Sequence, residues 1–215
     1  MNMKKMVIAV IMTTGVFASS VQAAPVTSLP GGTVVPMAAD NVFSAGPFVQ
    51  APGITWSSAS SNSVFGWTQG YGFAENGQWQ GSPPMIGTND GFSTMEYAFS
   101  TLQAGVGGLI NYARIGAGYN GDPATISVYD SSHTLIESSI LNFSTSGIGE
   151  FHGFQEATAS IAFFSLRGAY IGLRDLTITN VSAVPEPETY AMMLAGLSLL
   201  GFAARRRKAK GAAAA

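Results

Sequence analysis

A chain of 215 residues with ten Lys and Arg against twelve Asp and Glu has a formal charge of −2 and no cysteine, which excludes disulfides, thiolate nucleophiles and cysteine metal sites together. Seven of the ten cations stand in the first five or the last eleven positions. Between them Arg114, Arg167 and Arg174 face ten carboxylates, a balance of −7 that excludes binding to nucleic acid or to anionic lipid surfaces.

The first element is a leader. "MNMKK" carries two lysines, "MVIAVIMTTGVFA" is a short apolar run, and "SSVQA" puts small residues, Val21 and Ala23, where a signal peptidase reads. This is the n-region, h-region and cleavage site of a secretory signal. Residues 1–23 are therefore predicted to be a signal peptide cut by signal peptidase between Ala23 and Ala24. Everything downstream is exported.

Residues 24–183 are long enough for one domain with a sizeable core, since a chain of this size buries roughly 70% of its unfolded surface. Their pattern is β. "SSASSNS" at 57–63 reads as a loop. The stretch that follows Trp56, "SVFGWTQGYGFAENGQWQG", concentrates Trp67, Tyr71, Phe73 and Trp79 among Gly, Gln and Asn. Two readings compete here. The rings fill the core, or Trp56, Trp67, Trp79 and Tyr71 form a carbohydrate contact, because sugar C–H faces pack on rings while hydroxyls take hydrogen bonds.

"TMEYAFS" alternates Met95, Tyr97 and Phe99 with Glu96 and Ala98, one buried face and one wet. "GAGYNG" (Gly116, Gly118, Gly121) matches the dinucleotide fingerprint formally, but Asp122-Pro123 and a strand-like run follow it. No helix N-terminus is available for a pyrophosphate, so it reads as a turn. In "ATISVYDSSHTLIESSIL" two alternating strands flank a turn at Asp130-Ser131-Ser132-His133. "SIAFFSLRGAYIGLRDLTITNV" reads as two strands folded at Arg167-Gly168, with a bulge between Leu173 and Leu176. No stretch carries a helical stripe. The expected fold is all-β, a single β-sandwich of jelly-roll kind, flanked by the signal peptide and a short C-terminal transmembrane helix.

Catalytic signatures are missing: there is no G-x-S-x-G, S-x-x-K or H-E-x-x-H. His133 reads as a turn residue and His152 as a packed strand residue. Ten carboxylates offer no spacing that singles out an acid–base pair, so a glycoside hydrolase is the most distant reading. The body is read as no enzyme and as holding no metal site. Asp122, Asp130 and Asp175 are oxygen donors for Ca²⁺, without a D-x-D-x-D-G spacing to gather them.

The last element, residues 184–210, has three parts. Pro185-Glu186-Pro187 is extended by its prolines. Tyr190 to Ala204 is apolar but for Ser198, and as a helix it spans roughly 23 Å, short of a ~30 Å hydrocarbon core. Arg205, Arg206 and Arg207 then make a basic stop that stays in the cytoplasm. The body therefore lies outside and touches the membrane only through this helix.

The order and spacing of these parts closely resemble the PEP-CTERM sorting domain of Gram-negative bacteria. The resemblance implies recognition of Pro185-Glu186-Pro187 by exosortase, with Arg205 to Arg207 as the retention signal. It further implies an inner-membrane-anchored precursor that becomes a cell-surface or extracellular-matrix protein linked to exopolysaccharide and biofilm. "GEFHGFQEA" and "YIGLRDLTI" also resemble, more loosely, the last strands of bodies carried by this system. Members often have a second Asp where Arg174 stands, so an acidic pair there is not carried over.

Overall fold

The computed structural model describes residues 24–114, 123–144 and 147–180, and in addition Gly196 and Ser198, both helical. The signal peptide, the turn at 116–121 and the three-part tail, those two positions apart, lie outside the described residues.

The described residues form sixteen strands. The first eight are β1 (Ala24–Val26), β2 (Thr33–Val34), β3 (Val42–Phe43), β4 (Phe48–Ala51), β5 (Ile54–Ser58), β6 (Ser63–Trp67), β7 (Tyr71–Gly72) and β8 (Gln78–Trp79). The others are β9 (Met85–Thr88), β10 (Ser93–Gln103), β11 (Gly105–Asn111), β12 (Thr125–Tyr129), β13 (Leu135–Ile140), β14 (Glu150–Gln155), β15 (Ile161–Gly168) and β16 (Gly172–Thr179).

Every pairing is antiparallel. An eight-stranded sheet runs β1-β14-β11-β16-β9-β6-β3, with β2 added to β16, and a six-stranded sheet runs β13-β12-β15-β10-β5-β4. From β9 onward one sheet holds β9-β16-β11-β14 and the other β10-β15-β12-β13. Successive strands thus change sheets except at the β12–β13 hairpin.

Alternation decides which side chains enter the core. In β10, Met95, Tyr97 and Phe99 are buried while Thr94, Glu96 and Ala98 point away. Ile126 and Val128 of β12, and Phe164 and Leu166 of β15, continue the inner face. Trp56, Tyr97 and Phe164 of the six-stranded sheet join Phe65, Ile110, Phe154 and Leu173 of the eight-stranded sheet in one hydrophobic cluster. Each such side chain contributes roughly 1.5–3 kcal/mol by leaving water.

The predicted turn at 130–133 is present. Asp130 Oδ1 accepts hydrogen bonds from the amides of Ser132 and Thr134, at 2.8 and 2.9 Å, and His133 adopts a φ of 59°. The predicted bulge is also present: Gly107 pairs with Thr177 but Leu109 pairs with Arg174, so β16 carries an extra residue. Asp175 takes it up with a φ of 55°. The bulge lets Leu173 and Leu176, three positions apart, both point inward. The loop read at 57–63 is shorter than expected. Ser57, Ser58 and Ser63 are strand residues, because Ser57 and Ser58 pair with Glu96 and Met95 and Ser63 with Thr88.

Candidate functional site

The aromatic stretch folds back over the outer face of the eight-stranded sheet. There Val64 and Met85 point away from the main core and meet Tyr71, Phe73 and Trp79 in a second buried cluster. β7 and β8 form a small hairpin of their own, and its rings cap that face. This explains why all four residues of β9 are buried. A strand with one wet face would alternate instead.

Of the four rings read as sugar contacts, three are interior. Trp56 is fully buried, Trp79 is 4% exposed and Tyr71 is 6% exposed. Trp56 packs on Phe48 and Phe65, with centroids 6.1 and 5.5 Å away. Trp79 meets Phe73 edge-on at 4.7 Å, lies under the Arg174 guanidinium at 4.6 Å and donates from Nε1 to the Ile148 carbonyl. The Tyr71 hydroxyl donates to the Thr88 carbonyl, and burial holds its pKa far above the ordinary tyrosine value. A stacking platform needs an open ring face, and these three offer none. Trp67 alone is half-buried, with Phe43 against it at 4.7 Å.

Among the described residues, no such hairpin covers the outer face of the six-stranded sheet. Its register aligns Ser138, Ser127, Ser165, Glu96 and Ser57 in one row across five strands. On one side Tyr129 and Phe163 stand in the next row, and on the other Thr125, Arg167 and Thr94. Serine is much shorter than Tyr, Phe or Arg, so the row is sunken. The result is a hollow of about 410 Å³ between Tyr129 and Arg167, floored by Ser127, Ser138 and Ser165. Through Thr94 it adjoins a second hollow of about 300 Å³, bounded by Ser57, Glu96 and His133.

Local contacts fix this face. The Ser127 and Ser138 hydroxyls are 2.9 Å apart. His133 lies against both Tyr129 and Phe163, each at 4.6 Å between centroids, and its Nε2 is 3.2 Å from the Glu96 carboxylate. Arg167 sits over the Phe92 ring at 4.3 Å. Sequence reasoning missed this assembly. The available signal was the choice of Ser and Thr at outward positions of five strands.

The remaining acids and histidines are dispersed. Asp130 caps a turn of the six-stranded sheet and Asp175 lies in the eight-stranded one, while Asp122 is outside the described residues. Among the described residues no three His, Asp or Glu side chains gather as a metal set. His152, on β14, stacks on Phe143 at 4.9 Å with Nε2 3.5 Å from Glu150. Burial pushes its pKa down against the pull of Glu150.

Glu156 is 4% exposed and its Oε1 has no hydrogen-bond partner among the described residues. Burial, with a smaller push from Glu137, raises its pKa. A folded-state value above the unfolded one means that the native chain holds this proton longer, so stability falls as pH rises through that interval. Glu156→Gln is therefore expected to melt higher than the parent at pH 7.5. The gain should vanish below the ordinary value of 4.5, which thermal melts of both proteins at pH 4 and pH 7.5 would check.

An exported all-β body followed by a proline-flanked acid, an apolar run and a basic stop defines a C-terminally sorted protein. The particular signal follows: residues 183–208 match the family model of the PEP-CTERM protein-sorting motif. The motif implies export, processing by exosortase and delivery to the cell surface or beyond. It begins three residues after the last described strand-following residue, Asn180. No curated protein and no solved structure matched the chain.

Proposed function

We propose that the protein is a surface or extracellular-matrix component, associated with exopolysaccharide or biofilm, whose β-sandwich body is non-catalytic. The sorting motif at 183–208 carries this reading, because it coincides with the tail that the residues define independently. The precursor is held in the inner membrane by Tyr190 to Ala204, with the body outside and Arg205 to Arg207 inside. Signal peptidase cuts between Ala23 and Ala24, and exosortase acts at Pro185-Glu186-Pro187.

Intact mass and C-terminal peptide mapping of protein recovered from its native cells test this. The expected chain begins at Ala24 and ends near Pro185 to Pro187. A chain that still carries Arg205 to Arg207 would mean an ordinary membrane anchor, and the matrix role would lose its support.

A further inference from the structure

We propose that the serine-floored trough on the outer face of the six-stranded sheet binds a neutral polysaccharide chain. The proposal deepens the matrix reading and rests on it for the supply of such a polymer.

Shape is the first argument. The row from Ser138 on β13 to Ser57 on β5 crosses five strands, and four inter-strand spacings make about 19 Å. The two adjoining hollows make an open groove along it. That groove suits several sugar rings laid end to end better than a single small molecule.

Chemistry is the second. Each serine or threonine hydroxyl both donates and accepts, which matches a ligand that presents a hydroxyl at almost every carbon. Tyr129 and Phe163, half-buried beside the row with His133 packed against both, form an apolar wall whose remaining exposed edge meets the sugar C–H groups. Over β6 and β9 the corresponding face of the other sheet is covered by its own aromatic hairpin.

Charge is the third. The trough holds one carboxylate, Glu96, in its row and one guanidinium, Arg167, beside it, and the body around it carries a balance of −7 without a lysine. A polyanionic glycan would be repelled and a polycation would find too few carboxylates in the groove. An uncharged chain fits both constraints.

The test is affinity electrophoresis of the exported protein purified from its own cells, in gels containing a soluble neutral β-glucan, a neutral galactomannan or alginate. At least one neutral polymer is expected to retard the protein, and alginate is not. Ser138→Tyr raises the floor at an exposed position, and Tyr129→Ala removes the flanking ring. Each is expected to weaken retardation at least tenfold while its melting temperature stays within a few degrees of the parent. Phe43→Ala, on the other sheet beside Trp67, is expected to change nothing.

Retardation by alginate alone, by no neutral polymer, or unchanged in both trough variants would overturn the proposal. So would a loss on Phe43→Ala, which would move the site to the Trp67 edge. The C-terminal mass of the same preparation reports sorting separately. Retardation by a neutral polymer of a chain with an intact tail would therefore keep the trough and remove the exosortase reading.

Discussion

Trp56→Ala is expected to destabilise the body by about 3–5 kcal/mol, the range for deleting a large buried aromatic side chain. The indole is fully buried and touches both sheets. Phe48 on β4 stacks on it at an interplanar angle of 9°, and Phe65 on β6 packs at 36°. Its partner in the ladder is Tyr97, also fully buried. The void left by alanine would therefore be walled by rigid rings and strands that cannot collapse into it. For a domain of this size each kcal/mol lowers the midpoint by roughly 2–4 °C, so thermal melts followed by circular dichroism should fall by roughly 6–20 °C. A loss under about 1 kcal/mol would mean that the ring is not in the core. Any loss of sugar retention in this variant would accompany loss of fold, unlike the trough substitutions.

Gly153→Ala is expected to cost about 3 kcal/mol, at the upper end of ordinary overpacking. Gly153 on β14 lies opposite Gly107 on β11. A methyl group at 153 would run into the Val106 carbonyl oxygen and stand 2.7 Å from the Gly107 Cα and 3.0 Å from the Val106 carbonyl carbon. All three are backbone atoms. β14 is also paired to β1 on its other side, so it cannot shift without disturbing two ladders. Gly72→Ala is the matched comparison, because nothing lies within 4 Å of a methyl group there, and it is expected to stay within about 0.5 kcal/mol. Urea unfolding of the two variants beside the parent gives both values.

The amino-acid sequence by itself determined the address and the strand faces. A sorting tail is read by other proteins as a short linear pattern, so Pro185-Glu186-Pro187, the apolar run and Arg205 to Arg207 are legible without any folded context. Alternation likewise named Met95, Tyr97 and Phe99 as one inner face and placed the turn at Asp130, because side-chain direction in a strand has a period of two. The bulge near Leu173 was visible for the same reason, as a break in that period.

Only the tertiary structure decided which strands are neighbours and which outer face is covered. Trp56, Trp79 and Tyr71 look alike in sequence whether they stack on a sugar or on Phe65, Phe73 and Val64. For Tyr71 and Trp79 what settles it is the hairpin of β7 and β8 lying down on the eight-stranded sheet, and for Trp56 the packing of one sheet on the other. The trough was less visible still. Ser57, Glu96, Ser127, Ser138 and Ser165 are separated by as many as 108 positions, from 57 to 165, and each alone is an ordinary outward residue. They become one surface because the register between five strands puts them side by side. Register is a property of pairs of strands distant along the chain, and the period of any single strand cannot contain it.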